Sequence, residues 1–121
     1  MKYMLLIHQG STPLPGTEAW DQLSDAERQA VFADYGAINN TPGVTPGEQM
    51  QNPETATTVQ VSDGKTLTTD GPFVELKEAV GGYLFYEGDD LDAAIELAAK
   101  IPAARMGGAI EVRPLGSWSP S

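Results

Sequence analysis

The sequence predicts an α+β fold: a ferredoxin-like sheet with two helices on one face and an inserted β-hairpin. Three observations lead there. The segments run strand, helix, hairpin, strand, helix, strand. At 121 residues the chain is near the commonest domain size, long enough for one continuous core and too short for two. Two strands are apolar on both faces while only two helices are available, so one sheet face is left bare, and a second copy of the same sheet is its most economical cover. A homodimer is therefore expected, with residues 1–116 as a single domain and 117–121 as a C-terminal tail.

The first strand spans Lys2 to His8, with Tyr3, Leu5 and Ile7 on one side and Met4 and Leu6 on the other. Gln9 to Leu23 contains Gly10, Pro13, Pro15 and Gly16 and little periodicity, which predicts an irregular loop anchored through Trp20. Ser24 and Glu27 have capping-box spacing, and Ala30, Val31, Tyr35 and Ile38 recur at helical intervals, so the first helix runs from Asp25 to Asn39. A short strand is placed near Gly47 to Gln51, bracketed by Pro46 and Pro53. Ala56 to Ser62 and Lys65 to Asp70 form a hairpin about Asp63-Gly64, residues that tolerate the positive φ of a tight turn.

Gly81 to Glu87 is again two-sided, with Tyr83 and Phe85 opposite Leu84 and Tyr86. Asp89 and Asp90 precede a second helix whose apolar stripe is Leu91, Ala94, Ile95, Ala98 and Ile101, ending at Pro102. After the Gly107-Gly108 break, Ala109 to Leu115 forms the last strand.

Composition narrows the function classes. Seven Lys and Arg stand against seventeen Asp and Glu, a net charge of -10 that repels phosphate backbones and anionic headgroups, so neither nucleic acid nor membrane is an expected partner. No apolar run approaches the roughly 20 residues of a bilayer span. There is no cysteine, which excludes disulfides and thiolate chemistry and suits a cytoplasmic protein. The N-terminus reads as a strand of the mature domain rather than a signal peptide. No Walker A, G-x-S-x-G, H-E-x-x-H or G-x-G-x-x-G pattern is present, and neither a metal nor a cofactor is expected.

A few residue types carry possible chemistry. His8, the only histidine, is the first candidate for acid–base work, and Asp70 either organises a turn or acts as a general base. Arg105 offers a guanidinium fork to a carboxylate or phosphate or else forms an ion pair, whereas Arg113 is expected to pair with an acid. Tyr83 and Tyr86 point to opposite faces, so at most one of them donates into a given cleft. Phe73 is either a core or interface residue or a platform for a ligand.

Asp70-Gly71-Pro72-Phe73-Val74-Glu75-Leu76-Lys77-Glu78, followed by Gly81-Gly82-Tyr83, resembles the signature of the YCII-related proteins with the DGPF motif. The opening strand, the helix after Asp89-Asp90, Pro102-Ala103-Ala104-Arg105 and Glu111-Val112-Arg113-Pro114 also look like that family. The resemblance implies a dimeric α/β barrel with a cleft beside the interface. It also implies a largely uncharacterised function, with a dehydrochlorinase among the relatives and gene neighbourhoods that include sigma factors. Some relatives are proposed to use a histidine and an aspartate, the histidine near the first helix. Here that helix offers Glu27, Arg28, Asp34 and Tyr35, so the pair is not carried over.

The leading expectation is a cofactor-independent lyase or isomerase acting on a small organic acid in an interface cleft, with Asp70 and His8 catalytic and Arg105, Tyr83 and Phe73 binding substrate. The alternative is a non-catalytic module that binds a small molecule or a regulatory partner such as a sigma factor.

Overall fold

The structure, a computed structural model, describes residues 1–51, 55–71 and 80–116. Six strands, β1 (Lys2–His8), β2 (Val44–Gln49), β3 (Thr57–Ser62), β4 (Lys65–Asp70), β5 (Val80–Glu87) and β6 (Ala109–Pro114), accompany three helices, α1 (Glu18–Asp21), α2 (Asp25–Asn39) and α3 (Leu91–Ala99). The main sheet has the order β2-β5-β1-β6 with antiparallel pairing throughout, an α+β arrangement compatible with a ferredoxin-like fold. Among the described residues, no helix is long and apolar enough to cross a membrane.

The alternation along β1 decides where the core lies. Tyr3, Leu5 and Ile7 are buried, and Leu84 of β5 stands opposite Leu5. These side chains pack with Ile38 of α2, with Ala94, Leu97 and Ala98 of α3, and with Ile101 and Ala103 just beyond, so both long helices cover one face. Burying a side chain such as Leu5 or Ile101 contributes roughly 1.5–3 kcal/mol relative to exposure. On the other face, register places Met4 beside Phe85 and Leu6 beside Tyr83, all only half-buried.

The capping box at Ser24 is complete: its hydroxyl accepts from the Glu27 amide while the Glu27 carboxylate accepts from the Ser24 amide, which explains the sharp start of α2. Asp90 caps α3 by accepting from the Ala93 amide at 2.9 Å. Asp63 and Gly64, with φ of 51° and 74°, form the expected tight turn between β3 and β4. That hairpin is a separate two-stranded sheet whose Val59, Val61 and Leu67 are all at least half exposed.

Three expectations need correction. The segment Gln9 to Leu23 is not wholly irregular, because Thr17 accepts from the Trp20 amide and starts the one-turn helix α1, with Trp20 buried. The strand placed near Gly47 to Gln51 begins earlier, at Val44, and includes Pro46; β2 is an edge strand, where a missing N–H costs least. On α3 the buried stripe is Ala94, Leu97, Ala98 and Ile101, leaving Leu91 and Ile95 exposed, since the helix rests on the sheet through its small residues.

Candidate functional site

Both ladders that flank the start of β5 are irregular. The β1–β5 register shifts between Ile7 and His8, and the β2–β5 register shifts between Pro46 and Gln49. Bulges of this kind are frequent beside binding sites, because they re-aim side chains and end pairing. Here they coincide with Gly81 and Gly82, which contribute no side chains to the helix-facing wall. No side chain from Gly81 or Gly82 fills the space beneath α2, where a cavity of about 240 Å³ lies.

One side of the cavity is Val31, Phe32 and Tyr35 of α2, and another is the loop carrying Gln9, Thr12, Pro13 and Leu14. Trp20 seals the end, its ring centroid 5.5 Å from that of Phe32 in an edge-to-face arrangement. The loop is held from below. The Ser11 amide donates to the Gly107 carbonyl at 3.2 Å, and the Thr12 amide donates to the Gln9 carbonyl at 2.9 Å. Gly108 packs so closely beneath it that a Cβ there would meet the His8 carbonyl oxygen at 2.3 Å.

Apart from Glu48 at the rim, the polar groups of the cavity are neutral. Tyr35 is half-buried, and burial pushes its phenol above the usual range, so it stays protonated. The Thr12 hydroxyl is turned from the cavity against Gly108, buried without a hydrogen-bond partner among the described residues. Unpaired buried hydroxyls cost about 1–3 kcal/mol and are rare outside functional sites. Glu48 and Gln49, both exposed, form the rim.

The residues singled out in the sequence lie elsewhere, with one exception. Tyr83 borders the cavity, but its ring packs edge-to-face on Phe85, 5.9 Å between centroids, and lies over Gly47, where a Cβ would come within 2.6 Å of it. Tyr86, on the opposite side of the strand, packs against the core. His8 ends β1, with Nε2 3.2 Å from Oε1 of Glu111, and Arg113 bonds the other oxygen of that carboxylate. The Arg113 hydrogen bond, and after it the one from His8, hold the Glu111 carboxyl below the usual carboxylate range. Arg105 is ion-paired to Asp34 of α2 at 2.5 Å.

Asp70 ends β4 in the hairpin sheet and is exposed, and next to it Gly71 turns with φ of 94°. Phe73, with the rest of the motif from Pro72 onward, lies outside the described residues. His8, Arg105 and Asp70 thus stand on the main sheet, on a loop beside α2 and on the hairpin, and none of them lines the cavity. Among the described residues, no group of three or more His, Cys, Asp or Glu is arranged to hold a metal ion.

Sequence reasoning missed Thr12, Val31 and the Gly81-Gly82 wall as site residues. The available signals were the long Pro- and Gly-rich loop, its single Trp20, and a glycine pair inside a strand.

Two comparisons bear on this arrangement. The profile of the YCII-related domain matches residues 1–119. An uncharacterised protein of Rhizobium meliloti (strain 1021) is 31% identical over 109 residues, covering 86% of each chain.

Proposed function

The chain belongs to the YCII-related family, and from that premise we propose that it binds a small molecule in the cavity between α2, the loop after β1 and the glycine wall of β5. The carrying observation is the cavity itself: apolar and aromatic walls with a few neutral polar groups, the usual make-up of a small-molecule site. The working unit in this reading is a homodimer that pairs open sheet faces as an α/β barrel. Its support is the half-buried apolar row Met4, Leu6, Tyr83 and Phe85, together with the exposed hairpin residues, which a second copy would cover. Asp70-Gly71-Pro72-Phe73 supports a place in the DGPF subgroup, and the lack of cysteine suits the cytoplasm.

The test uses a change that fills the cavity without straining the chain. A Cβ on Gly82 meets only ordinary contacts, the nearest at 3.4 Å, and the residue faces the cavity beside Ile7. Gly82→Val is expected to fold and to lose all binding detected at the Trp20 indole resonance during a screen of small ring compounds. Compounds that bind the wild type and the variant alike would place the site elsewhere.

A second reading, lyase or isomerase chemistry on a small organic acid with His8 and Asp70, is supported by the His8–Glu111 pair, since a carboxylate orients an imidazole for proton transfer. Turnover abolished by His8→Gln but unaffected by Gly82→Val would select it.

A further inference from the structure

An anion entering a half-enclosed apolar cavity needs a counter-charge, because neutral walls do not return what desolvation costs. Among the described residues, no Lys, Arg or His lines this cavity. The lining acid, Glu48, sits at the rim with the same sign as an incoming carboxylate, and the chain as a whole carries a net charge of -10. Two guanidinium groups close to the site in the fold are held outside it, Arg28 by Asp25 and Arg105 by Asp34.

What the cavity offers is uncharged. Tyr35 has no hydrogen-bond partner for its hydroxyl among the described residues, whereas the Thr12 hydroxyl is buried against Gly108 and closed to the cavity. The remaining walls are mostly aromatic or aliphatic, with the neutral amides of Gln9, Asn39 and Gln49 among them. At about 240 Å³ the volume lies below the roughly 300–1,000 Å³ of sites for drug-sized ligands, so a single ring fits it better than a fused system.

We infer that the occupant is an uncharged, flat, single-ring compound bearing a hydroxyl or carbonyl group, its ring among Trp20, Val31 and Tyr35 and its polar group bonded by Tyr35, and that organic acids are rejected. This inference rests on the cavity being the binding site. It also replaces the organic acid expected from the sequence, since the groups suggested for an acid, His8 and Arg105, are engaged by Glu111 and Asp34.

Four probes of one shape separate the possibilities on the full chain at neutral pH: 4-methylphenol, toluene, 4-methylbenzoate and 4-methylbenzylammonium, each titrated while the Trp20 indole resonance is followed. The expected result is that 4-methylphenol binds at least tenfold more tightly than either ion. Tyr35→Phe should weaken 4-methylphenol about tenfold while leaving toluene unchanged, the size of one neutral hydrogen bond, whereas Thr12→Val should leave both unchanged. Thr12→Val should also keep or raise the melting temperature, because it removes an unpaired buried hydroxyl.

Benzoate or ammonium binding as tightly as the phenol, and lost in Gly82→Val, would overturn the ligand class while leaving the cavity as the site. Failure of all four probes to move Trp20 would overturn the cavity reading and the inference with it.

Discussion

Leu6→Glu is expected to turn the proposed dimer into a folded monomer. Leu6 sits in the middle of the open sheet face, flanked by Tyr83 on β5 and Glu111 on β6, and is only half-buried in the single chain. A carboxylate there keeps its water in the monomer, so the fold loses little. In the proposed sheet-to-sheet pairing the same group becomes buried and unpaired, beside Glu111 of like charge, at a cost of several kcal/mol. Each 1.4 kcal/mol is tenfold in affinity, so the dissociation constant should rise by roughly a thousandfold or more. Sedimentation velocity across a range of concentrations reads this directly. An unchanged dimer would move the interface to another surface, with the hairpin residues Val59, Val61 and Leu67 the next to be substituted.

Gly108→Ala is expected to be destabilising by about 1–3 kcal/mol and to abolish ligand binding together with the stability. Its φ is ordinary, so the effect comes from crowding alone: a Cβ would lie 2.3 Å from the His8 carbonyl oxygen, 2.8 Å from that of Gln9 and 3.0 Å from the Thr12 hydroxyl. Two of these are backbone atoms at the start of the loop that walls the cavity, and they can yield only if the loop lifts away. Gly36→Ala is the matched control. It lies within α2 with nothing near its Cβ position, and should stabilise by about 0.5–1 kcal/mol through helix propensity. Urea unfolding of the two variants measures both; equal and small effects would mean that the loop is not seated on Gly108.

How far the sequence could be read depended on how local the deciding interactions are. The limits of α2 were legible because Ser24 and Glu27 satisfy each other within one turn, and the β3–β4 turn was legible because Asp63 and Gly64 accept positive φ without help from the rest of the chain. The two-sided strands were legible because alternation has a fixed period, and the open face beside β1 follows from it. Helix α1 was hidden because its four residues have too little periodicity to register, and the start of β2 because Pro46 is tolerated only once the strand is known to be at an edge.

The candidate site was hardly legible at all. Attention went to the single histidine, His8, and to Arg105, which here hydrogen-bond to Glu111 and ion-pair with Asp34, acids distant in sequence. The cavity is made instead from ordinary residue types, and of the site candidates chosen beforehand only Tyr83 borders it.

By itself, then, the sequence determined the segments, the face each strand buries, the acidic surface and the family, because each is written in neighbouring residues, in a short period or in motifs. The tertiary structure alone decided that a glycine pair in β5 faces α2 across a gap, that Gly107 and Gly108 seat the loop over it, and that Tyr35 borders it. A cavity is the space that packing leaves unfilled, and no single segment encodes it, because its walls meet only after the sheet and helix have settled against each other.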